Sequence, residues 1–379
     1  MSGNGAPPQV PLAAAYDVAM LDLDGTVYLG AAAVPGAAEA LNKAMDAGMK
    51  LAYVTNNASR TPSAIAAQLT ALGLPGASGN GGSGGSSGGG GSGDGSAGGG
   101  SSIGESAGGG LAGSVVTSAQ AAATLLAERL PPGTRVLVVG GTGLRWAVRE
   151  RGLRPVSTAF DRPAAVVQGY SPTLDYSLLN EGALAVAAGA LFVASNADWT
   201  MPTARGRQPG NGAMLQVIRS ATGTDPLVAG KPEPPMHAEA LRRTGARHPL
   251  VVGDRLDTDI EGANRASTDS MLVLTGVARP ADAVLAPPSQ RPVYIAADLA
   301  GLLEPHPAIP AGQREPFCIG KWSARWASGP DGDHVELTGP GDGDRIDGLR
   351  ALCAAAWSRD GVTQPMVSGA LAALDADRA

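Results

Sequence analysis

Short apolar runs that end in polar residues recur along this chain, and the run at Val18–Leu21 constrains the fold most. It leads into Asp22 and Asp24 in the sequence V-A-M-L-D-L-D-G-T. A buried strand here places both carboxylates at the carboxyl end of a sheet, where open α/β sheets hold their ligands. One carboxylate of such a pair can attack phosphorus while the other transfers protons, and paired acids also suit Mg²⁺. For this pair alone, a solvated turn is the alternative.

Three further segments favour the catalytic interpretation. Leu51–Val54 runs into Thr55, Asn56 and Asn57, Lys231 lies in A-G-K-P-E-P, and Leu250–Val252 runs into a segment with Asp254 and Asp259. Together with the aspartate pair, these segments provide a nucleophile, an acid, a hydroxyl group, a cation and a metal ligand.

In this order, the four segments resemble the motifs of the haloacid dehalogenase (HAD) phosphatase superfamily. D-L-D-G-T-V-Y, V-T-N-N-A-S-R and G-D-R-L-D-T-D-I-E-G-A are most similar to its subfamily IIA, the nitrophenyl-phosphatase-like branch. The resemblance covers about residues 16–303 and is greatest to the actinobacterial glycerol 3-phosphate phosphatases. It implies an α/β fold: a Rossmann-like core with a parallel sheet and an inserted α/β cap between the second and third motifs.

The resemblance also implies the roles of the motif residues. Asp22 is the expected nucleophile, Asp24 the general acid and base, and Lys231 the cation that neutralises the phosphoryl oxygens. Thr55, Asn56, Asn57 and Lys231 are the expected phosphate-binding residues.

A magnesium ion is the expected cofactor. The family pattern implies that it is held by the Asp22 carboxylate, the Asp24 backbone carbonyl and Asp254, while Asp259 orients these ligands.

We expect a chain of several units: a disordered N-terminus (1–15), a first part of the core (16–131), the cap (132–208), a second part of the core (209–303) and a small α+β C-terminal ββα extension (304–379). Within the first part of the core, residues 75–113 form a nearly unbroken Gly/Ser tract. Such a tract cannot bury enough apolar surface to fold, so we expect disorder there.

The inserted segment reads as a βαβαβ unit. Val136–Val139, Ala165–Gln168 and Leu191–Ala194 are strand-like, with helical segments between them. The turn Gly140–Gly143 (G-G-T-G) leaves a dinucleotide site as an alternative, although the third glycine of that motif is absent. Chain return to the core is expected near Pro209–Gly212, and Arg205 and Arg207 just before it are candidate contacts for an anionic substrate.

The residues after Pro305 lie outside the resemblance. Trp322, Ala324 and Trp326 alternate as one face of a strand, His334–Leu337 follows as a second strand, and Ile346–Arg359 has a helical apolar stripe. This order is similar to part of an acetyltransferase fold, but it lacks a Gly-rich loop for a pyrophosphate. We interpret it as a structural or interaction unit.

Charge and hydropathy limit the partners. With 28 basic and 34 acidic residues the formal net charge is −6, so no basic surface predicts a nucleic-acid partner. The longest apolar segment, Ala183–Ala194, is too short to span a bilayer, and no signal sequence is evident at the start. We therefore expect a cytoplasmic protein whose Cys318 and Cys353 are reduced, with no membrane partner. A homo-oligomeric state is left open.

The predicted function is a Mg²⁺-dependent phosphatase for a small phosphomonoester, with glycerol 3-phosphate first and 2-phosphoglycolate second. Two alternatives from other classes are a non-catalytic protein that binds a phosphorylated metabolite and an NAD(P)-dependent enzyme built on Gly140–Gly143.

Overall fold

The computed structural model describes residues 10–76, 110–203, 205–307, 309, 315–330, 332–340 and 344–375. Within these ranges it contains two parallel sheets and a small antiparallel sheet near the C-terminus. None of the helices in these ranges has the length and apolarity that a membrane crossing requires.

The first parallel sheet forms the core of the predicted α/β fold. In spatial order its strands are β15 (Tyr294–Ala296), β14 (Asp269–Val273), β13 (Pro249–Gly253), β1 (Val18–Leu21), β4 (Lys50–Thr55) and β5 (Val115–Thr117). All four residues of the central strand β1 are buried. Burial on both faces is typical of a parallel sheet that helices cover on both sides.

Helices and a hairpin complete this unit. They are α1 (Leu12–Ala15), α2 (Ala37–Asp46), α3 (Pro62–Ala71), α4 (Ser118–Ala127), α8 (Pro234–Thr244), α9 (Glu261–Arg265) and α10 (Pro280–Val284), with the hairpin of β2 (Tyr28–Leu29) and β3 (Ala32–Ala33). Side-chain caps stabilise the N-termini of two of these helices. The Thr61 side chain caps α3, and Thr117 and Gln120 form a capping box at the start of α4.

The second parallel sheet belongs to the inserted unit. Its strands in spatial order are β12 (Leu227–Val228), β9 (Leu191–Ala194), β8 (Ala165–Gln168), β6 (Arg135–Val139) and β7 (Arg154–Val156). Its helices are α5 (Thr142–Glu150), α6 (Tyr176–Ala187) and α7 (Asn211–Thr222), and β10 (Thr200–Thr203) pairs with β11 (Gly206–Pro209) in an antiparallel hairpin. The short strands β7 and β12 were not expected from the sequence.

The expected return of the chain to the core at residue 209 needs correction. β12 pairs with β9, and α7 packs beside α6, so residues 211–228 extend the inserted sheet. Apolar packing explains this position, because Leu215 and Ile218 of α7 are buried in the same cluster as Phe192. The chain re-enters the core after Val228.

The disorder expected near the N-terminus does not hold for α1. Leu12 is fully buried there, and its backbone N–H donates to the Glu304 carbonyl at 3.3 Å. Residues 1–9 lie outside the described residues. Of the Gly/Ser tract expected at 75–113, Leu111–Ser114 form one turn of 3₁₀ helix and Leu111 packs on the core, whereas residues 77–109 lie outside the described residues.

The C-terminal extension has one strand and one helix more than the predicted ββα unit. It contains β16 (Phe317–Ile319), β17 (Trp322–Gly329), β18 (Gly332–Thr338), α11 (Arg345–Trp357) and α12 (Gln364–Asp375). Its apolar cluster includes Leu272 and Ile295 of the core sheet. Arg350 of α11 donates twice to the Ile295 carbonyl, at 3.0 and 2.6 Å, and so covers the edge strand β15.

Helix α4 joins the core to the inserted unit. One apolar cluster contains Met20 of β1, Leu126 of α4 and Val138 of β6. Beside it lies the fully buried carboxylate of Glu239 on α8. Arg151, just after α5, donates to this carboxylate at 2.8 Å. Three further side chains also donate to it: Thr124, Arg242 and Arg243. Burial favours the neutral form, but these donors outweigh it and lower the pKa of Glu239.

We predict that Glu239→Gln lowers the free energy of unfolding by about 2–3 kcal/mol, because it removes the charge that three arginines surround. Since the folded-state pKa of Glu239 is lowered, its stabilisation exists above the unfolded pKa of about 4.3 and is lost as pH falls through the folded value. Urea unfolding at pH 7 and at low pH measures both effects. In the control, Glu39→Gln removes the exposed partner of Lys43 and should leave the free energy of unfolding nearly unchanged. Equal losses in the two variants would contradict the prediction.

Candidate active site

The carboxyl ends of three neighbouring strands bring the predicted site residues together. Asp22 follows β1, Thr55 ends β4 and Asp254 follows β13. Lys231 reaches the same edge from the loop after β12. The sequence prediction that these residues meet at one sheet edge therefore agrees with the structure.

Lys231 is the cation at the centre of this edge. Its Nζ pairs with the Asp22 carboxylate, lies 2.7 Å from Asp259 Oδ1 and donates to the Val54 carbonyl at 3.0 Å. Burial alone lowers the pKa of Lys231, but the charges of Asp22 and Asp259 outweigh it and hold the pKa above its ordinary value. Lys231 therefore stays protonated and can neutralise an anion.

Three carboxylates form a potential metal site. Asp22, Asp254 and Asp259 each place one oxygen within 4.8 Å of the others. Burial, followed by the charges of Asp22 and Asp259, raises the pKa of Asp254 to about 7. Burial also raises the pKa of Asp259 to about 6, although Lys231 opposes the shift. Concentrated negative charge on oxygen ligands alone is the donor set that Mg²⁺ prefers.

Two glycines pack so closely against the Asp254 carboxylate that neither position has room for a side chain. A Cβ on Gly25 would lie 2.3 Å from Asp254 Oδ2, and a Cβ on Gly276 would lie 2.0 Å from it. The Val277 N–H donates to the same oxygen at 2.7 Å, and the Thr26 hydroxyl donates to Oδ1 at 3.3 Å. The carboxylate is thus held in one orientation. Neither Gly276 nor Val277 was predicted from the sequence, because both lie outside the four motifs and contact Asp254 through the backbone.

Asp24 lies at the mouth of the site. Burial raises the pKa of Asp24 above its ordinary value, against the opposing effects of Lys231 and of a hydrogen bond from Tyr28. A carboxyl group with a raised pKa retains its proton more readily, which suits an acid. Among the described residues, the three clustered carboxylates do not include that of Asp24.

Thr55 and Asn57 present polar groups to the cavity. The Thr55 hydroxyl oxygen accepts from the Asn57 N–H at 3.2 Å. Asn57 Oδ1 accepts from the N–H and the hydroxyl of Ser59 at 2.9 and 2.8 Å. The oxygen of Asn57 is therefore committed to its own loop, and its Nδ2 group is the donor that an anion can use.

The side-chain amide of Asn56, expected to donate to phosphate, is committed to other partners in this structure. Its Nδ2 donates to the Lys231 carbonyl and to Asp198 Oδ2, both at 3.1 Å, and its Oδ1 accepts from the Lys231 N–H at 2.9 Å. Both amide hydrogens are therefore used. The Asn56 carbonyl in turn accepts from Asn196 Nδ2 at 2.7 Å and from the Ser118 hydroxyl at 2.6 Å. Asn56 holds the backbone of Lys231 and ties it to the inserted unit.

An open cavity extends from Asp22 to the inserted unit. Its far end is lined by Tyr170, Asn196, Asp198, Thr200, Met201 and Asn211, with Arg255 and Val277 from the core. The candidate contacts Arg205 and Arg207 do not line it. Both are exposed on the hairpin of β10 and β11. Arg207 is paired with Pro202 in this hairpin and does not belong to the ends of β10 and β11 that reach the cavity.

The Gly140–Gly143 turn does not offer a dinucleotide site. The Gly143 N–H donates to the Ser59 carbonyl at 3.0 Å, and a Cβ on Gly143 would lie 2.3 Å from the Arg60 carbonyl oxygen. The backbone of the second motif thus occupies the space that a pyrophosphate needs.

Three family models match the chain. The HAD-hydrolase-like model matches residues 228–302, and the model for haloacid dehalogenase-like hydrolases matches residues 19–80. A model for a GCN5-related N-acetyltransferase like domain matches residues 319–376, in agreement with the resemblance of the C-terminal segment.

Similar proteins cover most of the chain. A D-glycerol 3-phosphate phosphatase of Mycobacterium tuberculosis is 42% identical over 91% of this chain and 87% of its own length. A crystal structure of a glycerol phosphate phosphatase from the same organism, in complex with magnesium, is 39% identical and has a TM-score of 0.78 over 96% of this chain and 99% of that one. A thermostable NPPase of Geobacillus stearothermophilus is 28% identical, with a TM-score of 0.60 over 75% and 96%.

We predict that Asn56→Ala lowers kcat/KM for phosphate esters about 10- to 100-fold, because the Lys231 backbone loses the two hydrogen bonds that place its ammonium group. Steady-state kinetics on a nitrophenyl ester, together with thermal unfolding, measure the effect. Asn264→Ala is the matched control, since Asn264 also bridges loops by donating to two backbone carbonyls, but outside the cavity. A kcat/KM loss no larger than that of the control would show that Asn56 has only a structural role.

Proposed function

The chain belongs to the haloacid dehalogenase-like hydrolases and is a phosphatase, and we propose that its substrate is glycerol 3-phosphate. We further propose that Asp22 is the nucleophile and that the reaction passes through an aspartyl phosphate. The observation that carries this proposal is the pairing of the Asp22 carboxylate with Lys231 in the lining of a cavity that also contains Asp24. The identity to a D-glycerol 3-phosphate phosphatase supports the choice of substrate.

The cofactor that fits the site is Mg²⁺. The carboxylates of Asp22 and Asp254 and the backbone carbonyl of Asp24 would hold it, and Asp259 would fix Lys231 beside it. When bound, the ion supplies positive charge to the phosphoryl oxygens, which carry the negative charge of the transition state. The glycine cradle around Asp254 suits this role because it prevents the carboxylate from turning away.

In the first step, a carboxylate oxygen of Asp22 attacks phosphorus and the bond from phosphorus to the alkoxide oxygen breaks. The Asp24 carboxyl group donates its proton to the departing alkoxide, which leaves as the alcohol. Lys231, Thr55 and Asn57 provide donors for the phosphoryl oxygens during the transfer.

In the second step, the Asp24 carboxylate removes a proton from water, whose oxygen attacks phosphorus. The bond between phosphorus and Asp22 breaks, so phosphate leaves and both aspartates return to their starting states. A protein that only binds phosphate has no need of an acid at Asp24, which argues against the non-catalytic alternative. The runner-up substrate, 2-phosphoglycolate, uses the same steps and differs only in its leaving group.

We also propose that the protein acts in the cytoplasm. The two cysteines are not joined, with Cys318 exposed and Cys353 buried in the C-terminal apolar cluster. An exposed free thiol is typical of proteins from a reducing compartment.

Asp22→Asn should abolish phosphate release from every ester, because the amide keeps the shape of the side chain but cannot attack phosphorus. Asp24→Asn should differ, lowering kcat/KM for glycerol 3-phosphate at least about tenfold more than for nitrophenyl phosphate, whose leaving group needs little protonation. A phosphate-release assay on both esters measures these rates. Turnover of Asp22→Asn at the wild-type rate, or equal losses of Asp24→Asn on both esters, would refute the assigned roles.

Removal of divalent metal by a chelator should abolish activity, and added Mg²⁺ should restore it. Gly276→Ala should raise the Mg²⁺ concentration needed for half-maximal activity at least about tenfold, because its Cβ displaces Asp254. Gly369→Ala is the control, because a Cβ added there, on α12 of the C-terminal extension, meets nothing within 4 Å. Full activity in excess chelator, or the same Mg²⁺ requirement in both variants, would exclude the proposed metal site.

A further inference from the structure

His306 lies where the chain leaves the core for the C-terminal extension. It follows the 3₁₀ helix Leu299–Leu303, and the residue is only 3% exposed. Its ring packs edge to face against the ring of Tyr294 on β15, with the ring centroids 6.1 Å apart. On its other side it contacts Arg350 of α11. The imidazole is therefore buried between the edge strand of the core sheet and the first helix of the extension.

Two contacts fix the protonation state of this imidazole. Its Nε2 lies 2.6 Å from the Gly301 carbonyl oxygen, which can only accept, so Nε2 carries a proton. Its Nδ1 contacts Nη2 of Arg350, and a guanidinium group can only donate, so Nδ1 must be the acceptor. Only the neutral imidazole with its proton on Nε2 satisfies both partners of His306.

Arg350 couples this imidazole to the edge of the core sheet. The residue is 5% exposed, and its Nε and Nη2 both donate to the Ile295 carbonyl on β15, at 3.0 and 2.6 Å. Its Nη1 donates to Asp347 Oδ1 at 2.6 Å. The contacts of α11 with His306 and with the edge strand therefore depend on one guanidinium group.

Protonation of His306 places a second cation against Arg350. The N–H created at Nδ1 points at the guanidinium group and has no acceptor there. The charge of Arg350 disfavours the imidazolium, whereas the charges of Asp347 and Asp344 at the start of α11 favour it. From β15 the ring faces Tyr294, whose pKa is raised by burial, and the 3₁₀ helix offers an uncharged carbonyl, so neither element adds a charge. Burial and Arg350 prevail and hold the pKa of His306 below its ordinary value.

We propose that His306 makes the docking of the C-terminal extension on β15 sensitive to pH, because uptake of one proton breaks its bond with Arg350 and loosens the contact of α11 with the edge strand. The apolar cluster shared by the two units remains, so the contact loosens while the extension stays folded. This inference does not depend on the proposed phosphatase function.

The direction of the pH effect follows from the state of the ring. Since the docked state holds His306 neutral, its contribution to docking is complete above the pKa of about 6.5 that a solvated histidine has. The contribution is lost as pH falls through the lower pKa of the docked state. One proton changes the ratio of loosened to docked molecules by at most about tenfold per pH unit.

Hydrogen exchange of the full chain at about pH 7.5 and about pH 5.5, corrected for the intrinsic effect of pH on exchange, measures this loosening. The readout is the exchange of amides in β15 and α11, with β1 as the reference for other titrating groups. His306→Asn keeps an amide oxygen that can accept from Arg350 but does not titrate. His334→Asn is the matched control, because His334 belongs to the same extension but is partly exposed on β18.

In wild type, exchange of α11 and β15 should rise about five- to tenfold on acidification, relative to β1, because the loosened state takes up one proton more than the docked state. In His306→Asn the same comparison should change less than about twofold, since the titrating group is absent. His334→Asn should respond as wild type does.

An equal acid response of α11 and β15 in His306→Asn and in wild type would overturn the proposal, because other groups then cause it. Absence of a response in wild type would overturn it as well. If His306→Asn does not fold, His306→Gln replaces it, since its amide can donate to the Gly301 carbonyl and does not titrate. If neither variant folds, wild type decides: a response confined to α11 and β15 supports the proposal, and an equal response of β1 overturns it. Phosphate release is measured separately, so the phosphatase function stands whichever result is obtained.

Discussion

The ion pairs of Lys231 with Asp22 and Asp259 are the interaction on which the rest of the site depends. Three carboxylates converge at one sheet edge, and each is costly to bury without positive charge nearby. Lys231 supplies that charge among the described residues, and its own pKa is raised in return. The neighbouring groups serve this arrangement: the Val54 carbonyl accepts from the ammonium group, and Asn56 holds the Lys231 backbone.

The same residues connect the sheet edge that carries Lys231 to the inserted unit. Asn56 contacts Lys231 on one side and Asp198 on the other, so its side chain links the inserted unit to the lysine. Helix α4 and the buried Glu239 also join the two units. The two parallel sheets thus share an apolar contact at one side and a polar cavity at the other.

The C-terminal extension covers one edge of the core sheet. Strand β15 is the last strand of the core sheet, and an edge strand exposes backbone groups that can pair with other chains. Arg350 satisfies the Ile295 carbonyl at this edge, and the apolar cluster of the extension covers Leu272 and Ile295. The match to an acetyltransferase-like model concerns this unit, whose contacts with the core are structural.

The α/β fold and the motif residues were predictable from the order of residues alone, because apolar runs that end in Asp22, Thr55 and Asp254 mark strands whose carboxyl ends meet. The sequence predicted Asn56 as a phosphate donor and Arg205 as a cap contact, since residue type shows a capacity to bind but not where a group is already committed. The packing of α7 in the inserted unit and the hydrogen bonds of the Asn56 amide to Lys231 and Asp198 became evident only from the fold. Those outcomes depend on contacts between segments far apart in the chain, which local periodicity and spacing do not encode.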